Sequence, residues 1–171
     1  LDNRLGRLLK LLERLALAGA GQPTFVTLPF PAGVVDVSTD QIEGGAVFAV
    51  ASWTRPTTYL RVEPNAERAS DAGLQPPSPL DNADDLEVRE VKVKSWDGTE
   101  IPLSIVYKKG LVLDGSHPTQ LYGYGAYGYP GTPSYLARTR AAFERGVIFA
   151  HADVRGGGDY GESWHLACYK L

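Results

Sequence analysis

The sequence predicts a meander of antiparallel β-strands, a proline-stiffened linker and the opening strands of an α/β sheet. Three observations lead there. Short β-rich runs recur between residues 24 and 62, each broken by turn residues. An apolar-poor stretch, 63–85, carries Pro64, Pro76, Pro77 and Pro79. From residue 86 onward a hairpin pattern gives way to strand, helix and strand, the order that opens an α/β sheet.

Residues 4–18 (RLGRLLKLLERLALA) place Leu5, Leu8, Leu9, Leu12 and Leu15 near helical spacing, so this segment reads as an amphipathic helix. The β-rich runs that follow are 24–28, 33–37, 46–52 and 57–62. They are separated by the turn segments 29–31, 38–45 and 54–56. The linker places a domain boundary near residues 75–85, giving units of 1–80 and 81–171. Beyond it, 86–94 alternates through Val88, Val91 and Val93, Asp97-Gly98 supplies a hairpin turn, and 101–107 returns. A loop at 110–118 leads to a short strand at 120–124. Residues 133–145 have helical character, with Leu136, Ala137, Arg140, Ala141 and Phe143. The run 147–154 (VIFAHADV) is continuously apolar in the manner of a buried parallel strand.

Composition narrows the function classes. With 43% apolar and 22% charged residues the 171-residue chain is ordinary globular protein, long enough for one domain. A net charge of −3 gives no electrostatic footprint for nucleic acid or an anionic membrane. The longest apolar runs fall short of the ~20 residues of a membrane-spanning helix. A single cysteine, Cys168, excludes an internal disulfide and is expected to be buried and inert. No methionine occurs and the chain opens on Leu1, so it is expected to be a piece of a longer protein. Its compartment, cytoplasmic or periplasmic, is left open.

Two glycine-rich features bear on chemistry. YGYGAYG contains G-x-G-x-x-G at Gly123, Gly125 and Gly128, the spacing of a dinucleotide fingerprint. That fingerprint needs a helix beginning within it, with its N-terminus facing the pyrophosphate. Here Tyr129-Pro130-Gly131-Thr132-Pro133 follows and delays any helix. The alternative is a loop supplying part of an oxyanion hole, with a hydroxyl of Tyr122, Tyr124, Tyr127 or Tyr129 as donor. By spacing these rings could equally pack over a strand end, and both readings stand. The last feature, VRGGGDYGESWH, ends the buried strand and holds neither a Walker lysine nor G-x-S-x-G.

The ordered motifs SWDGTEIPLSIVYKKG, YKKGLVLDGSHPTQLYGYGAYG and, some thirty residues later, DVRGGGDYGESWH resemble the prolyl oligopeptidase family of serine peptidases. STDQIEGGAVFAVASWTRPTTYLRVEP is similar to the last stretch of that family's β-propeller, so the resemblance covers residues ~35–171. It implies the end of a β-propeller over 1–80 and the N-terminal part of an α/β-hydrolase peptidase domain over 81–171. It further implies hydrolysis of short peptides after proline by Ser-His-Asp acyl transfer, with no cofactor and no metal. Tyr124 matches the hydroxyl donor of the oxyanion hole, and Tyr127 an aromatic beside the substrate. Arg155 is a structural or substrate-side contact.

No G-x-S-x-G occurs in the chain, and no triad role transfers to His117, His151 or His165. The chain is therefore expected to be inactive by itself and to need the remainder of the peptidase domain for a complete fold. An apolar sheet edge left open in this way is expected to favour aggregation. Two other readings are a relative that cleaves after basic residues and a non-catalytic binding module.

Overall fold

Alternating apolar residues and frequent turn signals favour strands, and strands dominate the molecule. The computed structural model describes residues 9–14, 24–39, 42, 44–81, 83–135 and 137–169. Five strands form one sheet in sequence order: β1 (Leu9–Arg14), β2 (Thr24–Thr39), β3 (Ala46–Ala51), β4 (Thr58–Val62) and β5 (Ser70–Asp71), each antiparallel to the next. One face of this sheet buries Val26, Leu28, Ala32, Phe48, Val50, Leu60 and Val62 as a continuous core.

Three sequence-based expectations change here. The amphipathic helix read over 4–18 is a strand at Leu9–Arg14, and the rest of that segment lies outside the described residues. Pairing of Leu11–Arg14 with Thr24–Thr27 satisfies the backbone in a ladder, and such tertiary pairing overrides a weak helical propensity. The expected break at 29–31 is absent, because β2 runs unbroken for 16 residues. Its register explains how two prolines are tolerated: the β1 ladder jumps from Thr27 to Ala32 at a bulge, and the β3 ladder begins at Gly33. Pro29 and Pro31 thus sit where neither ladder draws on their missing N–H groups. The stretch 63–85 is also not wholly irregular, since it contains β5.

A second, four-stranded sheet follows: β6 (Leu86–Lys94), β7 (Glu100–Lys108), β8 (Thr119–Tyr122) and β9 (Ile148–Ala152), in the order β6-β7-β9-β8. The β6–β7 hairpin is in register over all nine pairs, and Gly98 takes a left-handed φ of 84° in its turn. β9 pairs antiparallel with β7 and parallel with β8, and buries Ile148, Ala150 and His151. The helical character expected over 133–145 is realised as a 3-10 turn, Ala137–Thr139, and a five-residue helix α1, Arg140–Glu144. Leu136 lies outside the described residues. A second short helix, α2, spans Glu162–Leu166 and buries none of its residues. Cys168 follows it and is exposed, against expectation.

Trp53, just after β3, is buried in the second core with Ala83, Leu86, Val106, Tyr135 and Phe143. Its ring lies 6.0 Å from Phe149 and 5.1 Å from His151, which ties the segment after the first sheet to the second sheet. Tyr135 donates its hydroxyl to the Leu80 carbonyl at 2.7 Å, and Arg140 pairs with Asp85 at 2.6 Å. The start of β6 is thereby fastened to the α1 region.

Candidate active site

Because β8 and β9 are parallel neighbours, the segments after them leave the sheet at the same end, where open α/β sheets hold their ligands. Residues 123–132 follow β8 and residues 153–161 follow β9, so the two glycine-rich motifs meet. Gly128 donates its N–H to the Gly156 carbonyl at 3.0 Å, and Gly158 donates to the Tyr129 carbonyl at 3.2 Å. A Cβ on Gly156 would collide with the Gly125 carbonyl, and one on Gly158 with the Gly128 carbonyl. The glycine triplet is therefore the surface on which the tyrosine loop lies, backbone against backbone. No helix begins within the loop; the next helical turn starts at Ala137.

At the tip of the loop, Tyr129 donates its N–H to the Ala126 carbonyl at 3.1 Å. Tyr127 and Gly128 between them are both left-handed, at φ 57° and 65°, as in the mirror-image turns that usually employ Asn-Gly. A tyrosine held in that region carries strain of order 1 kcal/mol or more. Tyr127 is 86% exposed, and its ring lies 6.4 Å, centroid to centroid, from that of Tyr124, which is 56% exposed. The structure thus brings Tyr124 and Tyr127 together at the surface. Arg155 is turned elsewhere: its guanidinium pairs with Asp97 in the β6–β7 hairpin turn.

Beneath the loop lies a cavity of about 180 Å³. Tyr122, Tyr124 and Tyr129 contribute to its wall, and His151, Asp153 and Asp159 to its floor. All three are buried; from sequence His151 has no triad role, and Asp153 and Asp159 read only as part of an apolar strand and its glycine-rich exit. The available signal was the pattern H-A-D at the strand end, which sets two polar side chains on one face.

His151 Nε2 stands 3.5 Å from Asp153 Oδ1. The ring of His151 is flanked by Tyr122 at 5.3 Å and Trp53 at 5.1 Å. Asp159 Oδ1 accepts the Gly131 N–H at 2.6 Å. Burial pushes the Asp153 carboxyl up to about 7, aided by the charges of Asp159 and Glu90. Burial also lowers His151, partly opposed by the Asp159 charge. Both groups therefore favour their neutral forms.

On the far side, Trp164 Nε1 donates to the Asp153 carbonyl at 3.2 Å. His165 Nδ1 is 2.8 Å from the Gly156 carbonyl, and a carbonyl only accepts, so Nδ1 carries the proton. Chemically, the cavity offers phenol donors and a carboxyl–imidazole pair. Neither serine nor cysteine is among the described residues that line it. No group of three or more candidate metal ligands occurs among the described residues.

No protein-family model matches the chain. It is 31% identical over 146 residues to the prolyl endopeptidase of Elizabethkingia meningoseptica, covering 85% of the chain and 20% of the relative. It is 40% identical over 131 residues to the prolyl endopeptidase of Elizabethkingia miricola, covering 77% and 18%. Among solved structures, a prolyl endopeptidase superposes with a TM-score of 0.72 at 28% identity, covering 84% of this chain and 21% of that one. Prolyl oligopeptidase B of Galerina marginata, bound to a 25mer macrocyclization substrate, superposes with a TM-score of 0.70 at 29% identity, covering 80% and 19%. The chain spans about a fifth of the length of the relatives it matches.

Proposed function

The chain belongs to the prolyl oligopeptidase family, and on that premise we propose that it supplies the oxyanion-stabilising part of a serine-type oligopeptidase acting on short peptides, after proline. In this reading the five-stranded sheet is the end of a β-propeller over residues 1–80. The β6–β9 sheet is then the beginning of an α/β-hydrolase domain over 81–171. Its parallel β8–β9 pair, with both glycine-rich loops at the carboxyl ends, is what such a domain requires at its site.

The observation that carries the reading is the exposed Tyr124 on a loop laid backbone to backbone over the Gly156–Gly158 surface. Attack on a peptide carbonyl places negative charge on its oxygen, and a donor already in position stabilises that charge without reorganising. Tyr124 is such a donor. Tyr127, beside it, offers a flat apolar face to a substrate side chain. The nucleophile, general base and orienting carboxylate come from outside this sequence, which has no G-x-S-x-G elbow. The chain by itself turns over no peptide.

The test is Tyr124→Phe in the complete peptidase, assayed on a prolyl-linked chromogenic peptide. Loss of one oxyanion donor lowers kcat by about 10²-fold with KM little changed. An unchanged kcat refutes the assignment.

A further inference from the structure

We propose that Asp159 is a positioning residue for the oxyanion donor, holding the loop that carries Tyr124 through its bond to the Gly131 N–H. The inference rests on the reading of Tyr124 as that donor.

The tyrosine loop is tethered at its start by β8 and near its end by Gly131. Between these points its contacts with the glycine triplet are backbone to backbone. Such contacts set how close the two loops come, but carry little charge. The Gly131–Asp159 bond differs in kind. Its acceptor is a carboxylate 97% removed from solvent, at 2.6 Å from the donor. Charge-assisted bonds of this length are about twice as strong as neutral ones, and stronger again in a dry setting.

The surroundings are shaped to keep it. A Cβ on Gly157 would come within 2.7 Å of Asp159 Oδ2, so the second carboxylate oxygen fills the space a side chain would take. A Cβ on Gly131 would strike Asp153 Oδ1 and reach within 2.7 Å of His151 Nε2. The end of the loop therefore rests directly on the polar floor. Any shift of Gly131 is transmitted through Pro130 and Tyr129 into the turn beneath Tyr124 and Tyr127.

The experiment is a double-mutant cycle in the complete peptidase, pairing Asp159→Ala with Tyr124→Phe on the same chromogenic peptide. Asp159→Ala is expected to lower kcat by about 30–100-fold at nearly constant KM in the parent background. In the Tyr124→Phe background it is expected to cost less than about threefold, because a missing hydroxyl cannot be misplaced. Losses that multiply in the double variant overturn the proposal, as does an Asp159→Ala enzyme with parental kcat. An unchanged kcat for Tyr124→Phe overturns instead the reading beneath it, so the two failures are distinguishable.

Should Asp159→Ala fail to fold, Asp159→Asn takes its place, since it keeps a neutral acceptor. An approximately fivefold fall in kcat, confined to the Tyr124 background and joined by faster amide exchange at Gly131, supports the role. Parental kcat and parental exchange refute it.

Discussion

Replacing Asp153 with asparagine removes a buried ionisable group while keeping its shape, and the structure supplies the size of the effect. Asp153 is 5% exposed and its carboxyl is pushed up to about 7, against 3.8 for the unperturbed group. The native state thus holds a proton through the interval from about pH 4 to pH 7, where the unfolded chain has lost it. Stability must fall as pH rises through that interval and level off above it. At 1.36 kcal/mol per pKa unit, a shift of about three units amounts to at most about 4 kcal/mol.

Asp159, Glu90 and His151 are the titratable groups that face Asp153, and the first two raise its pKa by their charge. His151, lowered by burial, works the other way: its contribution is present above about pH 6.5 and is lost as pH falls below that towards its lowered native value. The histidine remains in both proteins, so the difference between them isolates the carboxyl. Relative to wild type, Asp153→Asn should be more stable at pH 8 than at pH 4 by about 2–4 kcal/mol. With a urea slope of about 1–3 kcal/mol/M, that moves the midpoint on the order of 1–2 M. Fluorescence of Trp53, whose ring lies 5.1 Å from His151, reports the transition. A variant whose advantage does not grow between pH 4 and pH 8 would show that Asp153 is ionised at neutrality and that burial is not governing it.

Other consequences follow from packing and edges. Gly158→Ala drives a Cβ into the Gly128 carbonyl and should cost about 2–3 kcal/mol or more, read as a lowered urea midpoint. Gly98→Ala meets nothing within 4 Å and bears only the strain of its positive φ, so it should cost about 1 kcal/mol in the same assay. Trp53→Ala, which empties the centre of the second core, should cost about 3–5 kcal/mol. In light scattering, Leu121→Lys should reduce association, because β8 is an exposed edge strand without charge and Leu121 is 68% exposed on it. Unchanged scattering would place the sticky surface elsewhere.

Much of the architecture was legible in the sequence, for reasons visible at particular residues. The valine-rich run before Asp97-Gly98 is a local pattern, and β6 spans it in an unbroken hairpin register, although Val88 falls on the face opposite Val91 and Val93. The ordered glycine motifs led to the family, which the relatives bear out. What failed were assignments that depend on partners distant in the chain. Leu9–Arg14 has helical spacing but lies in a ladder with Thr24–Ala32, and Pro29 and Pro31 continue a strand because a bulge excuses their missing donors.

The candidate site divides in the same way. Tyr124 and Tyr127 were named by motif, and the tertiary structure sets their rings 6.4 Å apart. The buried floor of His151, Asp153 and Asp159, and the bond from Gly131, emerged only in three dimensions. Sequence by itself determined the residue types and the turns, since glycine, proline and alternation act over a few neighbouring bonds. Tertiary structure decided which backbone each glycine faces and which carboxyl loses its water. Close approach and desolvation are properties of segments brought together from 28 residues apart, as Gly131 and Asp159 are.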